Sequence, residues 1–103
     1  MIARVWKARI DLARVDDYLR HFAEHVGPAL ASVRGYEGSQ VLCDRESDPA
    51  ELMVMTWWSS REVIQDFAGS DINRAVIDPA ARQILVSCEE SVAHYSVIAE
   101  DRL

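Results

Sequence analysis

Three histidines hold most of the polar chemistry available to this chain: His21, His25 and His94. His94 lies in Ser91 to Ile98, SVAHYSVI, a stretch with the spacing of a strand. Alternation groups His94 with Ser96, so polar atoms converge on one face, and sends Tyr95 to the other. A histidine in this setting is either a core residue bonded to a backbone carbonyl or a general base, or orienting donor, in a pocket. His21-Phe22-Ala23-Glu24-His25 matches H-x-x-E-H, in which two histidines hold zinc and the glutamate is the base. That match is discounted. The apolar stripe around it centres on Phe22 and Val26, which leaves His21 and His25 on the flank and Glu24 on the far side. A metallopeptidase also needs a third protein ligand and a cleft. The pair reads as a solvated helix flank, and no metal site is expected. Nothing resembles a phosphate loop, a nucleophile elbow or a carboxylate pair. Trp6, Tyr36, Trp57, Trp58 and Phe67 are many large aromatics for a small domain. Their default place is the core, but a cavity they lined between sheet and helices would suit a flat, apolar ligand.

The elements that must position these residues are organised around Leu52 to Gly69, LMVMTWWSSREVIQDFAG. Leu52 to Trp58 is apolar without alternation, as in a strand buried on both faces. Trp57 and Trp58 point to opposite faces, and the pattern leaves open which one meets the helices. Ser59-x-x-Glu62 is a capping box, so a helix should follow with Val63, Ile64 and Phe67 inward, ending at Gly69. Ahead of this, Ile2 to Ile10 reads as a strand whose two parities both mix apolar and cationic groups. A helix from Asp11 to about Arg34 carries the stripe Val15, Leu19, Phe22, Val26, Leu30 and Val33. Pro28 should kink it near Gly27, and Gly35 should end it. Tyr36 to Asp44 is a second strand, joined to the third by the polar turn 45–49. Asp71 and Asp78 can each cap a short helix, with Pro79 at a first helical position. Ser91 to Ile98 is the fourth strand.

The order is β-α-β, β-α-β. With right-handed crossovers it gives an α+β, ferredoxin-like, four-stranded antiparallel sheet with both helices on one face. The third strand would then leave an apolar patch on the bare face, so a homodimer with sheet against sheet is expected. At 103 residues the chain reads as one domain, 1–103, with one core. No apolar run is long enough to span a membrane and no signal sequence is evident, so a cytoplasmic protein is expected. The net charge of −6 without a basic stripe argues against nucleic-acid and membrane-surface partners. Cys43 and Cys88 have no redox or zinc spacing and read as small buried hydrophobes.

Trp58-Ser59 after an apolar strand, Phe67-Ala68-Gly69, Ala75, Pro79, Leu85 and Val92-x-His94-Tyr95 together resemble the antibiotic biosynthesis monooxygenase family. Arg34-Gly35-Tyr36-x-Gly38 fits too, and the resemblance runs over essentially the whole chain. It implies a dimeric α+β barrel. It also implies a cofactor-independent monooxygenase that oxidises a small anthrone- or hydroquinone-like aromatic with O2, in a dry pocket with an ordered substrate and a base. On that reading no cofactor is needed. His94 is the base or anion-orienting group, Trp58, Phe67, Tyr36 and Trp6 are substrate-binding walls, and Tyr95 is a donor. Other members degrade haem with an asparagine on the first strand, the tryptophan ending the third, and a later histidine. Only Trp58 fits here: Ala8 and Arg9 stand at the first position and Ile77-Asp78 at the last. A non-catalytic dimer that binds a small apolar metabolite is the rival reading.

Overall fold

The computed structural model describes residues 1–102. Three long strands come first: β1 (Ile2–Ile10), β2 (Tyr36–Asp44) and β3 (Ala50–Trp58). They are followed by two short ones, β4 (Ser87–Cys88) and β5 (Ala93–Ser96). All pairings are antiparallel, in the order β2-β3-β1-β4, with β5 further along the same edge of β1. This is the expected ferredoxin-like α+β sheet, except that its fourth strand is split. Ala8 pairs with Cys88 and Val5 with Ala93, so four residues of one chain segment span two of β1. The excess is a bulge. It carries Ala75 N–H to Glu90 O and Val92 N–H to Asn73 O, which ties the 73–76 segment to the sheet edge.

Register settles what the pattern of β1 left open. Ile2, Arg4, Trp6, Ala8 and Ile10 stand opposite Trp58, Thr56, Val54, Leu52 and Ala50. On β3 this set is buried and the alternate set is half-buried. The buried set faces the helices. Trp58 is therefore the inward tryptophan, and Trp57 joins Met53, Met55, Val5 and Leu42 on the far face.

The first helical stretch is not one uniform helix. A 3-10 turn (Leu12–Arg14) leads into α1 (Val15–His21), then a π-helical turn (Phe22–Val26), then α2 (Gly27–Ala31). Proline lacks an N–H and its ring crowds the carbonyl four residues back, so the chain widens by one residue ahead of Pro28. Gly27 N–H accordingly bonds Phe22 O, five residues back. The expected kink is thus a π turn. The inward face also differs from the expected stripe: Tyr18 and His21 are buried while Leu19 is exposed.

Helix α3 (Arg61–Ala68) starts one residue later than the capping box requires. Its N-cap is Ser60 and has no side-chain bond. Ser59 instead donates its N–H to Gly35 O at 2.8 Å, so it cannot also serve Glu62. Gly69 ends α3 at φ +84° as expected. Asp78 caps α4 (Pro79–Ile84) by accepting from Ala80 N–H. Asp71 starts no helix; it accepts from Asn73 N–H in a local turn. Cys43 and Cys88 are half-buried rather than buried.

Gly35 packs against the junction between β3 and α3. It has φ +97°, and a Cβ there would meet Ser59 Oγ at 2.7 Å and Val63 methyls at 2.9 and 3.0 Å. Gly35→Ala is expected to lower stability by about 2–4 kcal/mol, summing strain and overpacking. Urea unfolding monitored by tryptophan fluorescence measures this directly.

Candidate functional site

A cavity of about 60 Å³ lies between the helix-facing side of the sheet and the helices. Trp6, Val26, Leu30, Val54, Phe67 and Val76 supply apolar wall. Its polar lining is Arg4, Tyr18, His21, Thr56 and Asp78. Each arrives for a local reason. Arg4, Trp6 and Thr56 are inward residues of neighbouring strands. Tyr18 and His21 share the buried face of α1. Trp6 is held by its indole N–H, which donates to Glu89 O in the bulge at 2.8 Å.

Arg4 is the dominant electrostatic feature. It is buried, and among the described residues no carboxylate pairs with it. Its guanidinium donates to Ile72 O, to Arg74 O at 2.9 Å and to His94 Nε2 at 2.9 Å. Its Cζ lies 6.0 Å from the centre of the Phe67 ring, a cation–π contact. Burial lowers Arg4 to about 10, where it still stays charged at neutral pH. Of five guanidinium N–H groups, three are spoken for by these acceptors. Two N–H groups have no acceptor among the described residues, and the full positive charge sits in a cavity wall that also carries Tyr18, His21, Thr56 and Asp78; the cation favours an anion there.

His94 lies behind Arg4 rather than on the cavity wall. A guanidinium can only donate, so His94 Nε2 is the acceptor and the ring is neutral. Burial first, then the charges of Arg4 and Arg61, push His94 down to about 4. An unfolded histidine titrates at about 6.5. Between these values the unfolded chain binds a proton that the folded chain refuses. The stability tied to neutral His94 is therefore complete above the unfolded value and is lost as pH falls through the folded one. Wild type should lose about 1–2 kcal/mol more than His94→Gln between neutral pH and pH ~4, a figure discounted for partial exposure. Urea midpoints of the two proteins at both pH values check this; equal losses would remove the assignment.

The other residues singled out in the sequence are dispersed. Trp6 and Phe67 reach the cavity. Trp58 has no exposed surface and sits a layer deeper; its indole N–H donates to Thr56 Oγ1 at 2.8 Å. Tyr36 packs edge-on against Trp58, with ring centres 5.4 Å apart. Tyr95 pairs with Ala3 on the opposite face and is 59% exposed, away from the cavity. His21 is the clearest correction. It is not solvated but buried, and its Nε2 has no hydrogen-bond partner. His25 and Glu24 do face solvent, and no group of three or more metal-ligating side chains forms among the described residues. Arg4 drew no attention in the sequence, though it shares a parity with Ile2, Trp6 and Ile10.

No curated protein matches the chain by sequence. Among solved structures the fold is similar to a MhuD mutant with two manganese protoporphyrin IX bound per active site. That match has TM-score 0.70 and 18% identity over 99% of each chain. Haem-bound MhuD from Mycobacterium tuberculosis matches at 20% identity and TM-score 0.63, over 99% of this chain and 100% of that one. SnoaB, a cofactor-independent oxygenase from Streptomyces nogalater, matches as a mutant at 13% identity and TM-score 0.66, over 96% and 94%. At these identities the likeness establishes the fold. The family model for antibiotic biosynthesis monooxygenase matches residues 1–78, and the chain belongs to that family.

Proposed function

We propose that the protein is a cofactor-independent monooxygenase that oxidises a small acidic aromatic, of the anthrone or hydroquinone type, with O2. The observation that carries this reading is Arg4, a buried cation with spare donors beside an aromatic wall. Loss of a proton turns such a substrate into an enolate or phenolate. Arg4 favours that anion, and Trp6 and Phe67 flank its ring edge. The electron-rich anion then reduces O2. For an anthrone, the reacting CH2 becomes C=O, one oxygen atom enters the product and the other leaves as water. The cavity takes the reacting edge of the ring system. In this reading His94 is a positioning residue: it holds the guanidinium from behind. His94→Ala should therefore raise KM more than it lowers kcat.

Haem does not fit these residues. Ala8 and Arg9 on β1 offer no amide side chain, Ile77 and Asp78 offer no histidine, and Trp58 is covered by its neighbours. No step is routed through haem. The protein is further proposed to work as a homodimer. The sheet face away from the helices carries Val5, Leu42, Met53, Met55 and Trp57, an apolar surface that a second sheet would cover. Sedimentation should give twice the monomer mass, and Met55→Glu should give the monomer; a monomeric wild type would remove this part.

The central test is oxygen uptake by purified protein with a panel of anthrones and hydroquinones, with chelator and without added flavin. Enzyme-dependent uptake, with one atom of labelled O2 in the quinone, is the expected result. Absence of uptake across the panel, with tryptophan quenching on ligand addition, would favour the binding-protein reading.

A further inference from the structure

We propose that His21 is the base of this cavity and that His25 returns its proton to solvent; the inference rests on the oxygenase reading and assigns its proton-transfer step. His21 lines the same cavity as Arg4. It is only 6% exposed, and its Nε2 is buried with no hydrogen-bond partner. A buried nitrogen left unsatisfied is destabilising, so its place calls for an explanation. A substrate proton provides one. The α1 face that carries His21 continues into the π turn at Phe22–Val26, and such turns are frequent at functional sites.

The step balances without a co-reactant. The acidic C–H bond of the substrate breaks, its proton goes to His21 Nε2, and the electron pair stays on the substrate as an enolate. The enolate oxygen is the anion that Arg4 favours, so one cavity supplies both the acceptor for the proton and the cation for the charge. A buried imidazolium must then be discharged. The exposed His25 ring lies 5.2 Å from that of His21, centre to centre. His25 is thus the neighbouring exposed base that can take the proton outward. His21 is buried and His25 exposed, so the two histidines of the H-x-x-E-H run lie in line from cavity to solvent.

The test separates this step from oxygenation. Protein and 1,8-dihydroxyanthrone are mixed anaerobically, and the enolate is followed by its visible absorption. Wild type should form the enolate, and His21→Gln should form it at least about 100-fold more slowly. In wild type labelled with 15N-histidine, the His21 Nε2 resonance should move from the unprotonated to the protonated position as the enolate appears. This needs no variant to fold. Enolate without that movement, enolate formed equally by His21→Gln, or no enolate in wild type would each overturn the assignment. If enolate forms with the His21 shift but admitting O2 gives no quinone, His21 stands as the base and the oxygenase reading falls. Under air, His25→Gln should turn over about 10-fold more slowly in dilute buffer and recover with added imidazole. A slow rate that imidazole leaves unchanged would overturn the relay.

Discussion

Arg4→Lys is expected to lower kcat/KM for the oxidised aromatic by at least about 100-fold, although the charge is kept. The reason is geometric. Arg4 holds Ile72 O, Arg74 O and His94 Nε2 with three N–H groups and has two left over. Lysine has three donors on one nitrogen, so it cannot hold those acceptors and face a substrate anion together. Each charge-assisted bond lost in the transition state is worth about 1.5–3 kcal/mol, and about 2.7 kcal/mol is a 100-fold change in rate. Arg4→Met should cost more activity because the charge goes as well. Its stability should change far less, by about 1–2 kcal/mol. Removing an unpaired buried cation relieves desolvation, while the stranded carbonyls of Ile72 and Arg74 oppose that gain. Steady-state kinetics beside urea unfolding of the three proteins separate the two effects. A lysine variant within threefold of wild type would take Arg4 out of the chemistry. A methionine variant that unfolds would make Arg4 a structural residue first.

The order of elements is legible because burial writes it directly. Leu52 to Trp58 announces a strand covered on both sides, and β3 does run between β1 and β2 in the middle of the sheet. Gly35 and Gly69 mark real chain reversals because both backbones are at positive φ. The site was much less legible. An arginine inside a strand ordinarily reads as surface, and β1 has cations on both parities, so nothing local separates inward Arg4 from outward Lys7 and Arg9. The partners of Arg4 lie about seventy or more residues away (Ile72, Arg74 and His94), beyond the reach of any short window. His21 was misread for a different reason. A stripe drawn from Val15 to Val33 at constant helical pitch assigns the face wrongly when a π turn adds a residue midway. The inward set in α1 is Val15, Tyr18 and His21, and the set after the turn is anchored by Leu30. Pro28 signalled a disturbance but not its kind. The split of the fourth strand was hidden because its first piece, Ser87–Cys88, is only two residues long and lies before Glu89 and Glu90, ahead of the expected start at Ser91.

Trp58→Ala should lower stability by about 3–5 kcal/mol, the largest structural effect expected of a single substitution here. Trp58 is wholly buried at the end of β3, with Leu30 and Ile64 in the same cluster. Its ring meets Tyr36 on one side and Phe67 on the other, with centres 5.4 and 5.7 Å away. Trp58 also bears on the cavity at one remove. Its indole N–H donates to Thr56 Oγ1, and Thr56 and Phe67 are cavity wall. Trp58→Phe keeps most of the volume and loses that bond, so it should cost about 1–3 kcal/mol through the unsatisfied Thr56 hydroxyl. The two variants divide support from contact. If Trp58 acts only through Thr56 and Phe67, Trp58→Phe should stay within about tenfold of wild-type kcat at a temperature where both are folded, and Thr56→Val should reproduce its change. A phenylalanine variant that folds but loses 100-fold or more in kcat, with Thr56→Val unaffected, would mean that Trp58 meets the substrate itself. The helices would then have to open further than the present closed packing to admit it.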